Sequence, residues 1–231
     1  VGSDTIDFSL ATGPVTIDLD DAAAQTVQTG QMVTLDADGI ENFVGSDADD
    51  VVQAGILATA TRSINGGGGS DRFETTSDIV NTWTINGTDA GQLDAANPVS
   101  FTSVENLTGG TMNDTFNVVD GGEITDTIDG NAGTDTLSFA APRTQAAIVD
   151  LGRLVSIESL VGSAADDTLT ASAGGTNFVI DGVNEGTAQN VGSSDVIEFE
   201  NFENLAGAAG NDSFTFDGGS LGSAVDGGAG M

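Results

Sequence analysis

Hydrophobic residues in this chain recur at a fixed distance from turns built of glycine, asparagine and aspartate. Ile40, Ile64, Ile85, Val104, Ile128, Ile157, Ile180, Phe202 and Val225 each open such a segment. Successive gaps are 24, 21, 19, 24, 29, 23, 22 and 23 residues, a mean of about 23. Each anchor starts a short apolar run bounded by Gly, Asn and Asp, which predicts a strand closed by a tight turn. One motif reads Ile40-Glu41-Asn42-Phe43-Val44-Gly45-Ser46-Asp47-Ala48-Asp49-Asp50-Val51-Val52 and recurs from Val104, Ile157 and Phe202. A second reads INGGGGSDRF from Ile64, and returns from Ile128 (IDGNAGTDTL) and Val225 (VDGGAG).

Whole motifs returning at such spacing predict one small unit stacked many times. The expected fold is all-β, a parallel β-solenoid of about ten coils of roughly 23 residues, continuous through 1–231. The alternative is a β-sandwich, with turns every ~8–12 residues. A longer repeat overlies the coils: Trp83-Thr84-Ile85-Asn86-Gly87 matches Phe178-Val179-Ile180-Asp181-Gly182, and the stretch from Asp4 to Leu19 matches that from Asp135 to Leu151. The first copy holds extra residues at 20–34, where Asp20-Asp21-Ala22-Ala23-Ala24-Gln25 predicts an inserted short helix or lateral loop. The second copy is shorter elsewhere by about one coil, since Ile40 to Ile85 is 45 residues and Ile157 to Ile180 is 23.

Composition narrows the partners. There are 36 acids against four arginines and no lysine or histidine, a net charge of −32. Nucleic acid is excluded, because phosphate backbones are bound by Lys and Arg. An anionic membrane surface is disfavoured for the same reason, and no run of residues is long and apolar enough for membrane insertion. Divalent cations are the natural counterpart. Strong acidity can signal disorder, but 38% of residues are hydrophobic and keep register with the glycines. The absence of cysteine removes disulfides, zinc–thiolate sites and thiol nucleophiles. Gly2–Ile6 and Gly230–Met231 interrupt the second motif in nearly the same phase, which predicts an excerpt of a longer protein.

Gly66-Gly67-Gly68-Gly69-Ser70-Asp71-Arg72-Phe73-Glu74 fits the nonapeptide Gly-Gly-x-Gly-x-Asp-x-hydrophobic-x, and Gly130 to Ser138 fits with Asn131 in place of one glycine. Here the chain resembles the RTX (repeats-in-toxin) calcium-binding family and the related repeats of giant secreted bacterial adhesins. The resemblance implies a right-handed, β-helix- or β-roll-like cross-section. It also implies Ca²⁺ held between neighbouring turns by turn carbonyls and by the motif aspartate. Carried over, the ligands would be Asp71, Asp135 and Asp4. The looser turns add Asp50, Asp114, Asp167 and Asp212. This chain departs from the family in that each nonapeptide stands alone, so a site would be built between unlike turns, such as Asp50 above Asp71 or Asp114 above Asp135. The other reading of these aspartates is that they close turns by accepting backbone N–H groups. Both readings stay open on sequence alone.

Asn42, Asn106, Ser159 and Asn204 share one register and predict a hydrogen-bonded ladder, while Glu41, Glu105, Glu158 and Glu203 are expected to face solvent. Asp36-Ala37-Asp38-Gly39-Ile40-Glu41 has a fragment of an EF-hand loop without the rest of its frame. An enzyme acting on acidic sugars needs a base and cationic groups, and Arg62, Arg72, Arg143 and Arg153 are dispersed. No enzymatic activity is expected. A carbohydrate- or cell-binding adhesin module would present clustered aromatics, but Trp83, Phe73, Phe116 and Phe214 occupy core positions of the repeat. The expected function is a structural extracellular module, a segment of a stalk, sheath or filament of a secreted or cell-surface protein. Its expected partners are calcium ions and further copies or adjoining repeats, end to end.

Overall fold

A computed structural model describes residues 2–35, 40–56, 61–94 and 97–230. Apart from one 3-10 turn at Leu151–Arg153, every regular element among them is a β-strand. No helix among the described residues is long and apolar enough to cross a membrane. The chain forms two compact units, residues 1–114 with 121–133, and residues 115–120 with 134–231. The fragment Asp36–Gly39 lies outside the described residues.

In the first unit the chain alternates between two parallel sheets. One pairs Thr5–Asp7, Asn42–Val44, Arg62–Asn65 and Val99–Thr102 in that order. The other pairs Thr16–Asp18, Val51–Ala54, Arg72–Thr75, Asn106–Thr108 and Ile128–Asp129. Asn42 lies opposite Ser63 and Val51 opposite Arg72, a step of 21 residues in both sheets. Because side chains alternate across a strand, this register stacks like on like. Phe43, Ile64 and Phe101 form one buried column, and Val52, Phe73 and Leu107 another.

The second unit repeats the scheme. Thr115–Val118, Thr136–Ser138, Ser159–Val161 and Ile197–Glu200 pair in parallel, as do Ile148–Asp150, Thr168–Thr170, Asn204–Ala206 and Val225–Asp226. Leu137, Leu160 and Phe199 stack in the first sheet, and Val149, Leu169 and Leu205 in the second. In the first unit an additional coil, Arg62 to Thr75, separates the Gly45–Asp50 turn from the strand starting at Thr82. The second unit passes directly from Thr168–Thr170 to Thr176–Ile180.

Parallel pairing is not uniform. Thr82–Gly87, Ala90–Leu93 and Val99–Thr102 form an antiparallel meander, matched by Thr176–Ile180, Glu185–Asn190 and Ile197–Glu200. Asp89 (φ 50°) and Asn184 (φ 59°) reverse the chain, a left-handed backbone that Asp and Asn tolerate. At 20–34, where an inserted short helix or lateral loop is expected, Gln25–Gln28 and Gln31–Val33 form an antiparallel hairpin and not a helix. Gln25 explains the difference. Its amide accepts from the Asp18 N–H and donates to the Asp18 and Asp21 carbonyls, which locks Asp20–Ala24 as a turn. Gly30 (φ 80°) then closes the hairpin.

Each meander carries an aromatic cluster. Trp83 lies edge-on to Phe73 at 5.0 Å and to Phe101 at 6.1 Å, and Phe178 stacks on Phe214 at 5.1 Å and meets Phe199 at 6.4 Å. Trp83 and Phe178 are both fully buried, so neither presents a ring to a ligand.

Candidate functional site: the acidic turns

The motif aspartates sit at the start of the strand after each turn, with their carboxylates folded back over the turn. Asp50, Asp71, Asp114, Asp135 and Asp167 are at most 1% exposed. Asp212 is half-buried and Asp4 is exposed. Burying so many carboxylates costs free energy unless each is hydrogen-bonded. The donors follow one rule. Asp50 Oδ2 accepts from the Ser46 N–H at 2.6 Å, and its Oδ1 accepts from the Ser46 hydroxyl at 2.9 Å and from the Val15 N–H, one coil earlier, at 2.7 Å. Asp114 accepts from the Gly110 N–H within its turn and from the Asn81 N–H at 2.8 Å. Asp167 accepts from the Ser163 and Ala147 N–H groups. Asp212 accepts from Ala208 at 2.9 Å and Thr176 at 2.8 Å. One bond closes the turn, and the other ties it to the preceding coil.

The glycine opening each turn follows from this arrangement. A β-carbon at Gly45 would run into the Asp50 carboxylate on one side and the Gly66 carbonyl on the other. At Gly66 the obstacles are Asp71 and the Ser103 carbonyl, and at Gly162 they are Asp167 and the Asn201 carbonyl. Gly-x-x-x-x-Asp is therefore the shortest description of a carboxylate resting on a backbone.

The Glu–Asn pair preceding each turn has a partner as well. Glu105 Oε2 accepts the Asp71 N–H at 2.8 Å, and the Asn106 backbone N–H and side-chain amide donate to the Asp71 carbonyl at 2.9 and 3.2 Å. Glu41 with Asn42 holds the Asp4 peptide likewise, and Glu203 with Asn204 the Asp167 peptide. Glu158 accepts the Asp135 N–H at 2.7 Å, with Ser159 donating only its backbone N–H. Each pair thus clasps the motif aspartate of the coil before it. This corrects the expectation that the glutamates simply face solvent. It also changes the ladder: the asparagines bond to the peptide of the preceding coil. The signal was present, because Glu, Asn and Asp keep one register and a coil-to-coil bond demands that.

Asp71 differs from Asp50, Asp114, Asp167 and Asp212. Its Oδ1 accepts the Asp50 N–H at 2.7 Å, while Oδ2 is buried with no hydrogen-bond partner among the described residues. Burial pushes its pKa up to about 7 against the pull of the Asp50 N–H, with the charges of Asp50, Glu105 and Asp49 adding to the rise. Asp50 and Asp71 are therefore brought together, but through an N–H that lies between them.

One further network escaped sequence reasoning. Arg62 is 2% exposed, pairs with Asp20 at 2.6 Å, and donates to the carbonyls of Leu19, Ile40 and Gly55. Burial opposes charge on Asp20, but the Thr76 hydroxyl, the Arg62 guanidinium and the Gly55 N–H outweigh it and hold the carboxyl below its ordinary range. A lone arginine outside the repeat carries no sequence signal for this role. In the second unit an open groove of about 270 Å³ is lined by Asp181, Glu185, Glu198 and Glu200.

No protein-family model matches the chain, and no curated protein matches it significantly. Among the described residues no three or more His, Cys, Asp or Glu side chains group as a metal site. Fit to Ca²⁺ therefore rests on oxygen availability, turn by turn. Asp50, Asp114, Asp167 and Asp212 have both oxygens engaged by N–H donors. Among the described residues, the Oδ2 atoms of Asp71 and Asp135, the two nonapeptide aspartates, are the buried carboxylate oxygens without a hydrogen bond.

Proposed function

We propose that the chain is a structural repeat module, a right-handed parallel β-solenoid interrupted by two antiparallel meanders, serving as a segment of an extracellular stalk, sheath or filament. One observation carries this reading: the most regular chemistry of the chain, the Gly–Asp turns and Glu–Asn clasps, is spent on binding one coil to the next. A catalytic or ligand-reading site would break the repeat with convergent polar groups, whereas these groups follow it. The secreted setting and the adjoining repeats end to end rest on the resemblance to RTX-like adhesin repeats and on the exposed strand edges a solenoid presents to a neighbour.

A solenoid tolerates loss of a whole coil, and a closed domain does not. Deleting residues 55–75 removes the coil that the second unit lacks. The expected product keeps its β circular dichroism and a cooperative melt. Loss of β-structure in that deletion would overturn the reading. A second reading, calcium bound at the nonapeptide turn, is favoured by the orphaned Oδ2 of Asp71, with Asp49 and Glu105 as the neighbouring carboxylates. An adhesin role is tested on a glycan array. Because Trp83 is buried, a ligand lost on Trp83→Ala with the fold intact would contradict its place in the core.

A further inference from the structure

We infer that the turns closed by Asp50, Asp114, Asp167 and Asp212 are self-saturated staples that occupy the place the family resemblance gives to calcium, so that the β-structure stands without a divalent cation. A calcium ion takes ~6–8 oxygen ligands, which between two stacked turns would have to come from the aspartates and the turn carbonyls. Outside the two nonapeptide turns, members of both sets are already engaged. The carboxylates of Asp50, Asp114, Asp167 and Asp212 face the positive ends of backbone N–H groups from their own turn and from the preceding coil. The turn carbonyls meet N–H groups of the following coil: Ser46 receives Gly68 at 2.9 Å, Gly110 receives Ala132 at 3.4 Å and Ala208 receives Ala229 at 2.9 Å.

Hydrogen bonds to a carboxylate are among the stronger ones. A cation entering here would displace two or three of them per carboxylate and then sit against the freed N–H dipoles. The stacking problem a column of aspartates poses is thus met by alternation. Where Asp50 and Asp71 lie in consecutive coils, the order is carboxylate, N–H, carboxylate rather than carboxylate, cation, carboxylate. Metal binding is confined to the two nonapeptide turns, those of Asp71 and Asp135, each with an Oδ2 outside the hydrogen-bond network.

The inference concerns what joins the coils and stands apart from the biological role, and the coil deletion above, run in calcium, tests the solenoid without it. The deciding experiment is far-UV circular dichroism with thermal melting of the whole chain in excess EDTA and in about 5 mM calcium, above typical extracellular affinities. Equilibrium dialysis counts the bound ions. Expected are the same β spectrum and melting temperature in both buffers and no more than two bound ions, lost when Asp71→Asn and Asp135→Asn are combined. Asp50→Asn and Asp167→Asn should lower the melting temperature equally with and without calcium, because an amide NH₂ then faces an N–H. A chain that is β-structured only with calcium, more than two bound ions, or calcium binding abolished by Asp50→Asn would overturn it. The wild-type EDTA arm decides even if the variants do not fold.

Discussion

The turns Gly45–Asp50 and Gly66–Asp71 lie in consecutive coils, and both close with an aspartate folded over a glycine. Only the first is electrostatically complete. Ser46 follows its glycine with an N–H and a hydroxyl aimed at Asp50, and Val15 supplies a third donor. In the second turn Gly67 (φ 104°) and Gly69 (φ 115°) adopt backbone that L side chains rarely reach. There, among the described residues, the only hydrogen bond to the Asp71 carboxylate comes from the Asp50 N–H. The more glycine-rich turn, the better match to the calcium nonapeptide, is thus the one that leaves a carboxylate oxygen over. The tighter serine turn satisfies its own. Two motifs that look like variants of one another in sequence solve the problem of a buried charge in different ways.

The largest effect should come from what the two turns share. Gly45→Ala and Gly66→Ala each place a β-carbon between a carboxylate and a neighbouring carbonyl, and each should cost about 3 kcal/mol or more, the upper range for overpacking. Denaturant midpoints would show it, and unchanged midpoints would mean the turns relax easily. Next come the aspartates themselves. Asp50→Ala strands three donors and Asp71→Ala one, and each stranded buried group costs roughly 1–3 kcal/mol. Asp50→Ala should therefore be clearly the worse of the two at neutral pH. Equal losses would erase the distinction between the turns.

The same contrast predicts a pH signature. The carboxyl of Asp71 is raised from 3.8 to about 7 in the fold, so the folded chain holds that proton more tightly than the unfolded chain does. Its contribution to stability is full below pH ~4 and is lost as pH rises through ~7. Asp71→Asn carries no titratable group, so its melting temperature should gain on the wild type between pH 4 and pH 7.5 (~ values spanning the two pKa values) and then stay level. A difference that is flat with pH would contradict the burial assigned to Asp71. The smallest effect lies on the surface of the second meander, where Glu185 is paired directly across from Glu200. Glu200→Thr should stabilise by about 0.2–1 kcal/mol, the usual scale of a cross-strand pair, with less gain at high salt.

Much of this architecture was legible in the chain. The spacing of Ile40, Ile64 and Val104 announced stacked strands, and the shared register of Glu, Asn and Asp announced that something joins the stacks. The second unit's missing coil could be counted. What escaped was everything that depends on direction. At 20–34, where a short helix or lateral loop is expected, the chain forms a hairpin because Gln25 reaches back to the Asp18 backbone. The meanders were hidden because Trp83-Thr84-Ile85 reads equally well as a parallel or an antiparallel strand. Arg62 gave no warning of a clamp across three coils.

By itself, then, the sequence determined that the chain is built of strands, that its strand–turn motifs recur, and that an aspartate meets a glycine at each turn. Periodicity and backbone sterics are local properties and can be read locally. Only the tertiary structure decided what these carboxylates face, because each accepts from a backbone N–H 20 to 40 residues away, placed by the strand register. Composition shows the charge of an aspartate, but the environment that satisfies it is a property of the stack.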